Sequence, residues 1–198
     1  MTLPIALDLR GKLCLVVGEG EEALQRVEML NALGAVVRWV HSRVGPDLEA
    51  AEELLTAFEP AHLDGAWLAI LAEANAVLGA QMQRECEQRQ IWFCAIDQPE
   101  WNSFSHMATV RVDPIVIGIS SAGRAPALAR RLREQLEELL RQPPVAAFFR
   151  QVAELRTRTD PVLRREALKS ALAGFRIEGR VLVPHSNSGA PPNGSGAG

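Results

Sequence analysis

The 198-residue chain is short of several features that would have placed it quickly. It has three cysteines, Cys14, Cys86 and Cys94, an odd number without CxxC spacing. That excludes a disulfide framework and a cysteine zinc site, and leaves the three as small buried apolar residues. The four histidines show no metal-site spacing. No apolar run is long enough to span a bilayer, and Met1 to Arg10 has no signal-peptide core, so the expected compartment is the cytoplasm. The formal net charge is only −3, which gives no electrostatic reason to expect nucleic acid or a membrane surface as a partner. What remains is ordinary for a globular protein: 47% hydrophobic residues, enough for a sizeable core.

The most informative stretch runs from Leu13 to His41. Leu13 to Val17 is a continuous apolar run, the pattern of a strand buried on both faces. Gly18, Glu19 and Gly20 follow. A helical period then puts Ala23, Val27 and Leu30 on one side with Leu24 and Leu33 at its flanks. Gly34 can close that helix with a positive φ, and Val36 to Val40 begins a second strand. Strand, glycine turn, helix and strand form a βαβ unit with parallel strands. The turn reads GxGxxA, with Ala23 at the third glycine position of a dinucleotide fingerprint. Its free N–H groups and the helix dipole are suited to a pyrophosphate. Glu19, Glu21 and Glu22 count against this unless they point away, and favour an ordinary strand-to-helix turn. After the second strand come His41, Ser42 and Arg43, where an adenosine ribose would lie. No acid stands there to select NAD, and Ser42 with Arg43 could take a 2′-phosphate, so NAD and NADP both stay open.

Further on, residues 47–57 read as a short helix, Ala66 to Leu71 as a third strand, Ala76 to Gln88 as a helix, and Ile91 to Ile96 as a fourth strand. That strand delivers Asp97 to the carboxyl edge of the sheet, where ligands of parallel sheets bind; the alternative is a turn residue ahead of Pro99. Thr109 to Val112 and Ile115 to Ser120, separated by Asp113-Pro114, form a hairpin. A helix from Pro126 to about Leu140 then carries Leu128, Leu132, Leu136, Leu139 and Leu140 on one face. One hairpin and one amphipathic helix cannot build their own core, so a second copy of the chain is expected against them. Two helices follow, Val145 to Arg158 and Pro161 to Leu172, the second capped by Asp160. Trp39, Trp67 and Trp92 are expected in the core; Trp101, after Asp97, is placed to stack on a flat ligand.

The stretches LPIALDLRGK, LCLVVGEGEEA, WLAI, FCAIDQP, SF and above all ISSAGRAPALARRLREQLEELL resemble the siroheme synthase N-terminal module, from about Leu3 to Leu140 and more loosely to Val183. The resemblance implies a precorrin-2 dehydrogenase, in some members also a sirohydrochlorin ferrochelatase, and a homodimer with a tetrapyrrole substrate. It implies NAD at Gly18, Gly20 and the backbone of Glu21 and Glu22, and at Ser42 and Arg43. It implies Asp97 as the catalytic carboxylate and Ser121 beside the tetrapyrrole. The many substrate carboxylates call for arginines, of which Arg124 is a candidate with Arg111, Arg130 and Arg131. His106, foreign to the family pattern, is a candidate ligand for an entering metal ion or the substrate.

The expected architecture is α/β: a Rossmann-like NAD-binding domain over 1–108, a small α+β dimerisation segment over 109–142, a helical C-terminal domain over 143–184, and a disordered tail at 185–198. The family's Ala-Thr-Asp-Asp after the third strand is here Ala72-Glu73-Ala74-Asn75, with Gly79 and Cys94 in place of asparagines. Those changes keep a second expectation open, a divergent or non-catalytic tetrapyrrole-binding or chelatase protein on the same scaffold.

Overall fold

The computed structural model describes residues 3–42 and 51–179. The chain divides into two compact units, Met1–Gln142 and Pro143–Gly198.

The first unit is built on a parallel five-stranded sheet in the order β3-β2-β1-β4-β5, comprising β1 (Leu13–Val17), β2 (Val36–His41), β3 (Ala51–Leu55), β4 (Leu68–Leu71) and β5 (Trp92–Ala95). The apolar runs are continuous because both faces are covered. Leu15 and Val17 point into one cluster with Leu71, Met82, Cys86 and Phe93. Cys14 and Val16 point into the other with Ala23, Val27, Leu30 and Trp39. The first cluster is closed by α2 (Ala76–Arg89) and the second by α1 (Gly20–Ala32), whose buried residues are Ala23, Val27 and Leu30. Gly34 ends α1 at φ 76°, with its N–H on the Asn31 carbonyl at 2.8 Å. All three cysteines are free and buried. Burial pushes the thiols of Cys14 and Cys94 up to about 11 and that of Cys86 up to about 12, so they remain protonated packing groups.

The expected helix over 47–57 is corrected at 51–55, which form edge strand β3, in register with β2 from Val37↔Ala51 to His41↔Leu55. Ala, Glu and Leu are helix formers by themselves, but pairing with β2 overrides that preference, and Arg38 Nε bonds Glu52 across the strands at 2.8 Å. The opposite edge, β5, is covered by its own downstream chain. Asn102 Oδ1 accepts from Ala95 N–H at 2.6 Å and Ser103 Oγ from Phe93 N–H at 2.7 Å, occupying donors an open edge would expose.

The hairpin of β6 (Ala108–Val112) and β7 (Ile115–Ile119) is antiparallel, with a cis Asp113–Pro114 bond at its turn, and α3 (Pro126–Leu140) packs on it. In the second unit, α4 (Pro143–Arg158) starts two residues earlier than expected because proline suits the first helical turn. The last helix, α5, runs Arg164–Leu172 rather than from Pro161. Asp160 makes a turn instead, its side chain taking Val162 N–H at 2.8 Å and its carbonyl taking Arg164 N–H at 2.9 Å. Phe148 and Phe149 of α4 pack on Phe175, the former stacked at 5.5 Å. The expected tail at 185–198 lies outside the described residues. Among the described residues no helix is long and apolar enough to cross a membrane.

Candidate nucleotide site and catalytic edge

The sheet order puts β1 between β2 and β4, so the crevice of this fold opens beyond the carboxyl ends of β1 and β4. Val17 is in register with Val40 on one side and Leu71 on the other, and Leu71 with Ala95. The residues that follow these strands therefore stand along one edge: Ser42, Gly18, Glu73 and Asp97. Asp97 lies two strands from Gly18, about 10 Å at the usual inter-strand spacing. The nucleotide turn and the carboxylate are on the same edge of the sheet, as a shared cleft requires.

Gly18 is fixed twice over. Its φ is 129°, and a Cβ there would sit 3.0 Å from the Ala72 carbonyl carbon. Its N–H donates to Val40 O at 3.0 Å, and its carbonyl accepts from the buried Trp39 Nε1 at 3.0 Å, so neighbouring strands hold the turn on both sides. Gly20 opens α1 at φ 78° with nothing within 4 Å of a would-be Cβ, leaving room beside the helix start. Glu19 precedes it in extended conformation and makes no side-chain cap on the helix, so its carboxylate does not occupy the first N–H groups of α1.

The concern about three acids is answered by where they go. Glu21 accepts from Gln25 Nε2 at 3.1 Å and Glu22 pairs with Arg26, each one turn further along the helix. Glu19 reaches to the end of β2, where Ser42 N–H (3.3 Å) and Ser42 Oγ both donate to its Oε1. The mouth of the turn thus fits a pyrophosphate, with the N–H groups of α1 as donors and Gly20 leaving the approach clear.

Next to Gly18, the Glu73 carboxylate accepts from Asn75 Nδ2 at 3.3 Å, and Asn75 Oδ1 caps α2 through Leu78 N–H at 3.0 Å. Asn75 is therefore a helix cap as well as a member of the altered stretch. Asp97 is exposed, with φ 60°, a backbone position uncommon outside glycine and asparagine.

Trp101 does not stand free to stack on a ligand. Its ring lies over Gly79 of α2, 2.2 Å from where a Cβ would be, and belongs to the core packing. Trp39 is buried as expected, whereas Trp67 and Trp92 are partly exposed at the amino ends of β4 and β5. Lys12 Nζ covers Trp67 at 4.0 Å, and Trp92 meets Phe104 edge-on at 6.5 Å. A cavity of about 450 Å³ lined by Cys86, Gln90, Ile91, Trp101, Asn102 and Ser103 flanks β5 and contains none of the nucleotide-turn residues. Burial holds its thiol, Cys86, protonated.

Ser121 Oγ accepts from Ala125 N–H at 3.0 Å, fastening the loop of Ala122 (φ 51°) and Gly123 (φ 78°) ahead of α3, and its hydroxyl proton is left to donate. Arg124 is exposed beside it. His106 meets Phe104 edge-on at 5.4 Å. Although the residue as a whole reaches solvent, crowding of its ring, and then the Arg26 charge, hold the imidazole down to about 4. It is neutral at physiological pH, able to offer a lone pair but no charge to a substrate carboxylate. Arg43 lies outside the described residues, where among the rest no group of three or more His, Cys, Asp or Glu could hold a metal ion.

Residues 5–108 match the family model "Putative NAD(P)-binding", and residues 113–139 match "Sirohaem biosynthesis protein central". This chain belongs to the siroheme synthase N-terminal module family. Among the relatives of this module, siroheme synthase of Methylobacillus flagellatus is 38% identical over 80% of the chain and 36% of its own length. Siroheme synthase 1 of Cronobacter sakazakii is 38% identical over 75% of the chain and 34% of its own length. The module chain thus spans about a third of the curated relatives it matches. The solved structure of SirC, a precorrin-2 dehydrogenase, superposes with a TM-score of 0.70 over 85% of this chain and 88% of its own, at 17% identity, a likeness of fold.

Glu19 and Trp39 are the site residues that sequence reasoning missed. Trp39 was assigned to the core alone, and nothing in a linear reading joins Glu19 to a serine on another strand.

Proposed function

We propose that this chain carries out the NAD-dependent oxidation of precorrin-2 to sirohydrochlorin in siroheme biosynthesis. The observation that carries the reading is the common edge: a clear amide-lined turn at Gly18 and Gly20 and a carboxylate at Asp97, two strands apart. A nicotinamide bound at this turn would supply the hydride acceptor for the macrocycle's oxidation. The chain's own residues do the rest. The N–H groups of Glu21 and Glu22 and the dipole of α1 hold the pyrophosphate. Asp97 takes the proton lost as the ring system becomes conjugated, so that substrate gives up one hydride and one proton. Ser121 and Arg124 meet the substrate's polar rim, Arg124 by pairing with its carboxylates.

The same carboxylate suits Fe²⁺ insertion, in which the metal is substrate and Asp97 receives protons displaced from the pyrrole nitrogens. His106, neutral at working pH, offers a lone pair to the incoming ion. The chain works as a homodimer formed through α3 and the hairpin.

A second reading, a tetrapyrrole-binding or chelatase protein without dehydrogenase activity, draws support from the stretch after β4. There Glu73 and Asn75 bond to each other and to α2 in place of the family's Thr-Asp-Asp. Incubating the protein with precorrin-2 and NAD⁺ separates the two. Appearance of the sirohydrochlorin spectrum with matching NADH supports the dehydrogenase. Tight tetrapyrrole binding with no turnover on either NAD⁺ or NADP⁺ rejects it in favour of the second.

A further inference from the structure

We infer that Glu19, a residue of the glycine turn, sets the choice between the two nicotinamide cofactors by holding a carboxylate at the ribose end of the site and so selecting NAD. The inference rests on the nucleotide reading above and deepens it.

Parallel dinucleotide-binding sheets place the adenosine ribose beyond the end of the second strand, and an acid at that strand end accepts the 2′-hydroxyl. This chain has His41-Ser42 at that place, with no acid. The structure supplies one from elsewhere. Glu19 is the residue before α1, yet its extended backbone (φ −123°, ψ 168°) turns its side chain away from the helix. The carboxylate is pinned to the end of β2, with Oε1 taking both the N–H and the Oγ–H of Ser42.

A carboxylate accepts at about four lone-pair positions and donates at none, so it suits a ribose hydroxyl, which has a proton to give. A 2′-phosphate brings only acceptors and negative charge to the same place, and meets repulsion with no donor from Glu19 to offset it. Arg43, next in sequence and outside the described residues, carries a charge of the opposite sign, and the experiment is arranged to expose its influence.

Equilibrium titration calorimetry of the whole chain with NAD⁺ and NADP⁺, and with AMP and 2′,5′-ADP as probes of the ribose alone, tests this. The parent protein is expected to favour NAD⁺ and AMP by about tenfold or more. Glu19→Gln, which keeps the shape and removes the charge, is expected to shrink that ratio about tenfold, chiefly by tightening the 2′-phosphorylated ligands. Glu19→Ala should shrink it similarly, and thermal unfolding of each variant checks that it is folded. A parent preference for NADP⁺, which would make Arg43 dominant, or an unchanged ratio in both variants overturns the inference while leaving nucleotide binding intact. Binding of none of the four ligands overturns the nucleotide reading and this inference with it.

Discussion

Asp97 combines exposure with a φ of 60°, and asparagine is among the few residues that adopt this conformation readily. Asp97→Asn therefore isolates the charge from the backbone. Its stability should change by no more than about 0.5 kcal/mol, while sirohydrochlorin formation should fall by about 10²- to 10⁴-fold, the usual contribution of a positioned base. Because Gly18 is two strands away, nucleotide affinity in calorimetry should not move; a parallel loss of affinity would mean that Asp97 supports the turn. His106 makes a different prediction. Its imidazole titrates at an ordinary 6.5 when unfolded and at about 4 when folded, so between those values the unfolded chain binds more protons. This contribution to stability is fully present above 6.5 and is lost as pH falls toward 4. His106→Gln should flatten the pH dependence of the urea midpoint across that window. The effect will be modest, since part of the residue is solvated, and an identical pH profile would refute the assignment.

At the scale of elements, the docking of the segment after β5 onto α2 depends on a missing side chain. A methyl group at residue 79 would stand 2.2 Å and 2.5 Å from Trp101 Cζ3 and Cε3 and 2.9 Å from Gln98 Oε1. Gly79→Ala must push the indole out, and we expect a loss of about 2–3 kcal/mol, as for other overpacked cores, measured by urea unfolding. It should be accompanied by a change in Trp fluorescence. Such contacts also mark where a sequence stops being readable. The βαβ unit was legible because burial on both faces leaves an unbroken apolar run and α1 keeps a strict helical period through Ala23, Val27 and Leu30. Edge strand β3 was not, because residues of an edge strand need not be apolar, and Ala-Glu-Glu-Leu-Leu reads as helix until β2 is beside it. Asp97 could be placed at the carboxyl edge of the sheet because strand order dictates it. The bond from Ser42 to Glu19 could not, since it joins positions 23 residues apart through the Glu19 side chain. Trp101 was misjudged for the same reason: its partner is a glycine, which leaves no apolar signal.

For the whole molecule, the first unit has its two cores inside the five-stranded sheet and its helices, and α3 stands apart from both. Of the helix's residues only Ala129 and Leu140 are buried. Leu128, Leu132 and Leu139 are 59%, 42% and 38% exposed, and on the hairpin Val116 is 59% exposed. The hairpin and helix therefore present a row of leucines that one chain leaves wet, flanked by ion pairs such as Arg133–Glu137 at 2.8 Å that keep its borders soluble. An isologous pairing of two copies would bury the row against itself. Leu132→Glu places a charge in the middle of that row without touching either core. We expect it to convert a dimer into a monomer in sedimentation velocity, with thermal unfolding of the sheet little changed at the concentration where both are monomeric. A wild-type chain that sediments as a monomer would mean that this surface serves no self-association. Because Ser121 and Arg124 precede α3 directly, a dimer formed through the helix would also fix the position of the loop proposed to meet substrate. Leu132→Glu should then lower dehydrogenation about tenfold or more through positioning, as misplacement of substrate-holding groups does, while nucleotide affinity at Gly18 stays the same.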